Sequence, residues 1–442
     1  MNRKRKQGII TGSIVALLLV TFAANTALAS VGEATLTIDK KASSSFYVGV
    51  TFGGNTTADA KLLIDKVKSY TNLLVLQSGP VSKNETAMNE ISEYAIAAGL
   101  HIIVYFGWLD PAYPWRLPWL DAAKQRWGDK FLGVYFDDEP SGIPLDYNWT
   151  GYLTAQKQQN STVYRDHAFA IDGILNGTYP NNYDEAAVLS QNAIERNLVP
   201  LKNSSLTIFT SDYVLYWYDY LGGYDVMFAQ LGWNESIIQN IGLIRGAARM
   251  QDKDWGSIIT WKYDQPPYLD TGEEIYNQML TSYEAGAKYV IIFNYPQIEG
   301  NPYGIMYDEH FEALEKFWNT VTTTPKAGSL PDFSQAEAAL VLPRNYGFGL
   351  RRPDDRIWGY WGPDEKSAQI WNISLKLLSE YGLRLDMIYD DPAFPIAGKY
   401  QQVYYWNQTI ANNLQNNPPG LGLQYSFVNM SSGCPAMTHR MS

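Results

Sequence analysis

Residues 131–140 read FLGVYFDDEP: six apolar or small residues, three adjacent carboxylates and a proline. A continuous apolar run without polar alternation is what a strand covered on both faces requires, as in a parallel sheet wrapped by helices. The same kind of run recurs outward in both directions. Upstream lie Phe46–Phe52, Asn72–Gln77 and His101–Phe106; downstream lie Leu206–Thr210, Asp225–Gln230, Ser257–Tyr263 and Tyr289–Asn294. Helical spacing fills 57–69, 85–98, 119–127, much of 150–197, 235–251, 272–285 and 308–321 between and after them. Eight such strands alternating with helices predict a closed (β/α)8 barrel, the TIM-barrel class of α/β fold, over residues 46–322. Gly53-Gly54 after the first strand is too little for a phosphate-binding glycine loop, which argues against an open nucleotide-binding sheet.

The stretch TTTPKAGSLP (322–331) marks a linker, taken as 323–334. Beyond it, runs at Ala338–Leu342, Leu385–Tyr389 and Gln402–Trp406 surround a helical pattern at 364–381. They predict a small open α/β domain over 335–410, one that looks truncated. Residues 411–442 lack periodicity and read as an irregular tail.

The first 29 residues read as an address. Arg3, Lys4, Arg5 and Lys6 precede an apolar run centred on Ile14–Ala24, and Ala27-Leu28-Ala29 fits a small-x-small cleavage site. A cleaved signal peptide followed by a linker over 30–45 is expected; an uncleaved anchor is the only membrane attachment the sequence offers. Asn55, Asn84, Asn148, Asn160, Asn176, Asn203, Asn234, Asn372, Asn407 and Asn429 all begin N-x-[ST] sequons. Composition alone would give about three, so the excess points to a glycoprotein, secreted or on the cell surface.

Composition excludes several classes. A net charge of −11 is unsuited to gripping nucleic-acid phosphates. One cysteine, Cys434, excludes an internal disulfide framework and cysteine-rich metal sites. His101, His167, His310 and His439 show no metal-ligand spacing, and no cofactor is implied.

In a barrel of this class, chemistry sits at the C-terminal strand ends. Those ends are polar here: Gln77; Trp108 and Asp110; Asp137-Asp138-Glu139; Asp212-Tyr213; Gln230 and Trp233; Tyr263-Asp264; Asn294-Tyr295. Three adjacent carboxylates repel one another, which stability alone would not favour. Strand alternation, carried through residue 139, faces Gly133, Tyr135, Asp137 and Glu139 to the axis, Leu132, Val134 and Phe136 to the helices, and Asp138 sideways. Glu139 then has like charges that raise its pKa, as a general acid needs. Aromatic clusters follow strand three (Trp108, Tyr113, Trp115, Trp119) and strand five (Tyr213, Tyr216, Trp217, Tyr218, Tyr220). Aromatic faces beside Asp, Asn and Gln suit a carbohydrate. Arg351-Arg352-Pro353-Asp354-Asp355-Arg356 reads either as a loop folded over the barrel mouth or as a salt-bridged interdomain loop.

Asp138-Glu139-Pro140 at the end of strand four resembles the Asn-Glu-Pro of the large clan of retaining (β/α)8 glycoside hydrolases. The resemblance implies Glu139 as acid/base and Asp138 in the sugar-contacting Asn position. The clan's nucleophile, a Glu ending strand seven, has no counterpart; Asp264 is the nearest carboxylate there, and Asp212 is the other candidate nucleophile or base, with Asp137 beside them. A glycosidase barrel before a flavodoxin-like domain is similar in order to the barrel β-galactosidases. The polar and aromatic strand ends predict a carbohydrate substrate contacted by Asp138, Trp108, Asp110, Gln77, Tyr213, Gln230, Trp233, Tyr263, Asn294 and Tyr295. A non-catalytic glycan-binding or structural surface glycoprotein on the same scaffold is the competing class.

The secreted protein should begin at Ser30. Amino-terminal sequencing checks this, and a chain that starts before residue 20 would refute the cleavage site.

Overall fold

The computed structural model describes residues 46–107, 109, 111–146, 149–161, 164–165, 172, 175, 180–202, 204–233, 235–323 and 331–408. The expected signal peptide, the 30–45 linker and the 411–442 tail lie outside the described residues. Eight parallel strands close into a barrel: β1 (Tyr47–Thr51), β2 (Leu73–Leu76), β3 (His101–Gly107), β4 (Phe131–Phe136), β5 (Thr207–Asp212), β6 (Val226–Leu231), β7 (Asp254–Ile259) and β8 (Tyr289–Ile292). Closure is by β1 against β8, with Tyr47 opposite Tyr289 and Val50 opposite Ile292.

Around the barrel run α1 (Thr57–Val67), α2 (Glu85–Ala97), α3 (Arg116–Trp127), α4 (Gly142–Asp146), α5 (Trp149–Gln158), α6 (Tyr183–Lys202), α7 (Tyr216–Gly222), α8 (Ile237–Gln251), α9 (Gly272–Glu284) and α10 (Asp308–Thr323). Caps fix several starts: Thr56, Asn84, Ser236 and Thr271 each accept a backbone N–H of the first turn. Two sequence expectations shift. Strand seven ends at Ile259 rather than Tyr263, because the chain turns back and Lys262 and Tyr263 both donate to the Tyr268 carbonyl. The long helical stretch after strand four includes the short helices α4 and α5 before α6.

The barrel interior is filled, not hollow. Tyr47, Leu73, Val75, Ile103, Tyr135, Phe209, Val226, Phe228, Ile258, Tyr289 and Ile291 form one buried cluster. Leu132, expected to face the helices, packs against this cluster. The reason is a β-bulge: β3–β4 register jumps from Ile102–Phe131 to Ile103–Gly133. Gly133 has φ 151°, and a Cβ there would lie 2.1 Å from the Thr207 carbonyl oxygen.

A second, parallel sheet has the order β10–β9–β11, from β9 (Ala338–Leu342), β10 (Leu385–Tyr389) and β11 (Gln402–Tyr405), with α11 (Glu365–Tyr381) packed on it. It is fastened to the barrel through α8. Gly242 and Gly246 let that helix ride on β10; Cβ atoms there would lie 2.8 and 2.6 Å from the carbonyl oxygens of Leu385 and Met387. Between them Arg245, fully buried, donates from Nε to Asp386 Oδ1 at 2.7 Å. Its remaining nitrogens reach the carbonyls of Phe333, Leu383 and Leu385.

Arg245→Met would strand the buried Asp386 carboxylate and should cost about 3–5 kcal/mol, the usual penalty for breaking a buried pair from one side. Adding Asp386→Leu should recover part of it. Urea unfolding of the two variants checks this; equal stability of wild type and Arg245→Met would overturn it.

Candidate active site at the barrel mouth

β4 stops at Phe136, and simple alternation stops with it. Asp137 and Glu139 both take left-handed backbone, φ 63° and 53°. That conformation costs a non-glycine residue roughly 1–2 kcal/mol, so the surroundings must impose it. They do: the Asp137 N–H donates to the Gly107 carbonyl at 2.6 Å and the Glu139 N–H to the Ser211 carbonyl at 2.9 Å. Neighbouring strands therefore pin the acidic turn from both sides.

Three strands supply the polar floor. Tyr135 (β4), Ser211 (β5) and Gln230 (β6) stand one step above the core ring of Tyr135, Phe209 and Phe228 or belong to it. The Tyr135 hydroxyl is 2.6 Å from both Asp138 Oδ1 and Ser211 Oγ, and Ser211 Oγ is 2.9 Å from the same Asp138 oxygen. Gln230 Nε2 donates to Ser211 Oγ and to Glu139 Oε1, each at 2.9 Å. Asp138 is thus the inward residue tied to Tyr135, a role alternation had not given it.

Burial shapes the charges. It pushes the Asp137 carboxyl up to about 8, with Asp138 and Asp212 adding to it. Asp138 rises to about 6, again through burial. Glu139 is held well above the ordinary carboxylate range by burial, then by the negative charges of Asp138, Asp212 and Asp146, against the Gln230 hydrogen bond. All three carboxylates stay partly exposed, so a ligand in the mouth can reach them.

Two expected catalytic carboxylates stand elsewhere. Asp212 is one position out of phase with the axis-facing Phe209 and Ser211 and is fully buried. Its oxygens accept from the N–H groups of Ser141, Gly142, Tyr213 and Val214. It clamps the loops after β4 and β5 together, with its carboxyl raised to about 7 by burial. Asp219 of α7, also buried, sits beside it and accepts from Ser141 Oγ at 2.6 Å. Asp264 is exposed in the turn past β7. The early end of β7 puts it five residues beyond the strand.

The other expected contacts divide. Gln230 joins the site; Gln77 is half-buried at the end of β2, its Oε1 without a partner among the described residues. Asn294 is buried, accepts the Ile305 N–H and donates its own N–H to Thr51, so it fastens the β8 loop. Trp108 and Asp110 lie outside the described residues. The aromatic expectation is corrected. Tyr216, Trp217, Tyr218 and Tyr220 are buried on α7, where Trp217 meets Phe394 and Tyr389, and Tyr218 meets Trp358 and Tyr389. Trp119 is buried against Phe106, Trp127 and Phe131. They pack helices and the second sheet instead of facing a ligand. Accessible aromatics gather past β6–β8: Trp233, 49% exposed, and Tyr263, 40% exposed. Trp261 links Trp233 to Phe293 and Tyr295 at ring separations of 6.1–6.3 Å. Trp261 and Phe293 carried no sequence signal beyond aromaticity.

The Arg351 loop does lie on the rim. Gly359 packs on the Pro144 carbonyl and Gly349 on Leu145. Arg351 is 2.6 Å from Asp146 and 2.8 Å from Asp355, with its guanidinium over the Tyr213 ring at 5.1 Å. Tyr213 donates to Asp146 at 2.5 Å. Glu235, past β6, is raised to about 7 by burial, which outweighs the lowering by Arg351 and Asn240. Asp146 and Glu235 had escaped the sequence reading because neither ends a strand. Among the described residues, no group of three or more His, Cys, Asp or Glu is placed to hold a metal ion.

No protein-family model matches this sequence, and no curated protein does. Solved structures are similar to this chain in part. An alpha-L-fucosidase isoenzyme from Paenibacillus thiaminolyticus is 12% identical at a TM-score of 0.45, over 81% of this chain. The chain spans 59% of that fucosidase's length. An endo-1,4-beta-mannanase from Rhizomucor miehei is 11% identical at a TM-score of 0.38, over 63% of this chain and 96% of its own. A truncated 3-deoxy-D-arabino-heptulosonate 7-phosphate synthase from Thermotoga maritima is 8% identical at a TM-score of 0.34, over 63% of this chain and 86% of its own. At these identities and scores the likeness carries no statement about activity.

Asp137 makes the pH dependence testable. Its folded pKa, about 8, lies above the value near 4 of an unfolded Asp. Its protonation therefore stabilises the fold fully below pH 4, and this stability is lost as pH rises through 8. Asp137→Asn can still accept the Asp138 N–H and should flatten that loss, gaining at least about 1 kcal/mol over wild type at pH 8.5 and little at pH 4. Urea unfolding across this range measures it; parallel curves would sink the assignment.

Proposed function

We propose that this chain is an exported glycoside hydrolase acting on oligo- or polysaccharide, with Glu139 as proton donor. The observation that carries the reading is a carboxyl at the barrel mouth, gripped by Gln230, held well above the ordinary carboxylate range by burial and still partly exposed. Cleaving a glycosidic bond needs a proton on the departing oxygen, and an acid with a raised pKa supplies it. Aromatic faces at Trp233, Trp261, Tyr263 and Tyr295 suit the C–H faces of sugar rings, and the acidic floor suits their hydroxyls.

Export rests on the leader and the sequons. Asn55, Asn84, Asn160, Asn372 and Asn407 are all exposed, as glycan acceptors must be. Asn84 caps α2 through Oδ1, which leaves Nδ2 for a glycan. Asn148, Asn176, Asn203, Asn234 and Asn429 lie outside the described residues. A carbohydrate-binding protein without catalysis is the second reading, favoured by one observation: no carboxylate ends β7.

Glu139→Gln keeps the shape and removes the acid. On natural glycans kcat should fall roughly 10²–10⁴-fold, while activated aryl glycosides, whose leaving groups need no proton, should suffer far less. Unchanged glycan hydrolysis in Glu139→Gln would overturn the donor assignment. A wild type that binds glycans on an array and hydrolyses none would establish the second reading.

A further inference from the structure

A hydrolase of the proposed kind needs a second carboxylate, one that stays ionised while Glu139 holds its proton. We infer that Asp146 is this group and that Arg351, brought to the mouth by the segment between β9 and α11, is the positioning residue that holds it in place. The inference rests on the glycosidase reading and names the second half of its machinery.

The geometry supports it on three counts. Asp146 is the last residue of α4, in the loop region that follows Glu139, and it is 40% exposed at the side chain, so it faces solvent at the mouth. Each of its oxygens is met by a separate donor: Oδ1 by Arg351 at 2.6 Å, Oδ2 by the Tyr213 hydroxyl at 2.5 Å. An arginine that is 6% exposed, paired on its other side with Asp355, does not give up its charge and fixes the carboxylate in orientation. The negative charge of Asp146 also raises Glu139, after those of Asp138 and Asp212. Asp138 is tied through Oδ1 to Tyr135 and Ser211 and has no cation against it among the described residues, and Asp212 is closed off by four N–H groups. Asp146 alone among the three is both exposed and ion-paired.

The division of labour follows. Glu139 gives its proton to the glycosidic oxygen as the C–O bond breaks. Asp146 faces the positive charge that develops on the sugar ring. Water supplies the oxygen that bonds to the anomeric carbon, and its proton returns to the carboxylate pair, so the two groups end as they began.

The test uses Asp146→Asn, Asp146→Glu and Arg351→Met in the full chain, assayed on a panel of activated aryl glycosides. Asp146→Asn should lose at least 100-fold in kcat with KM little changed, because the charge is needed in the transition state more than in binding. Azide should restore turnover and yield a glycosyl azide. Asp146→Glu should retain more activity than Asp146→Asn. Arg351→Met should lower kcat with KM little changed, and Arg351→Lys, which keeps the cation, should recover part of the loss, a rescue that a merely structural role would not produce. A wild type active on the panel with Asp146→Asn equally active would overturn this inference and leave the glycosidase reading standing. A wild type inactive on every member would overturn both.

Discussion

The contact between α8 and β10 governs how the rest of the molecule is arranged. Two glycines on one helical face bring backbone against backbone, and Arg245 between them spends its donors on Asp386 and three carbonyls. Such a contact tolerates no sliding, since every partner is a fixed backbone atom or a fully buried carboxylate. With β10 fixed, β9 is fixed beside it, and the segment that leaves β9 is carried across the rim of the barrel.

The mouth itself trades stability for chemistry. Its carboxyls are largely withdrawn from solvent, several are raised far from their ordinary range, and Asp137 and Glu139 adopt left-handed backbone without glycine. Each feature opposes folding. They are affordable because the layer beneath is a dense ring of tyrosine, phenylalanine and branched aliphatics, and because strands β3 and β5 hold the turn by hydrogen bonds. The carboxyl pair of Asp212 and Asp219 extends this pattern outward, tying the β4 and β5 loops to α7.

The strand count was legible in the chain because parallel strands buried on both faces leave uninterrupted apolar runs. The polarity of the strand ends was legible for the same reason: polar residues interrupt those runs only where the barrel opens. Side-chain direction past Phe136 was not, since the pleat rule fails once Asp137 turns left-handed. Asp264 looked like a strand end because Thr260, Trp261 and Tyr263 prolong an apolar pattern that hydrogen bonding does not follow. The α7 aromatics misled in another way. Tyrosine and tryptophan look alike whether they cover a ligand or a second sheet, and only Tyr389 and Phe394 decide which. The Asp146–Arg351 pair depends on the placement of two distant segments, which no local pattern encodes.

Arg351 also bears on modularity. A barrel cut from its companion sheet would keep its core and its acidic turn, yet it would lose the cation that balances Asp146 and the cover over Pro144 and Leu145. The heritable unit is therefore larger than the barrel. Insertions between β9 and α11 would register at the mouth as changes in selectivity, whereas insertions on the far edge beyond β11 would pass unnoticed there.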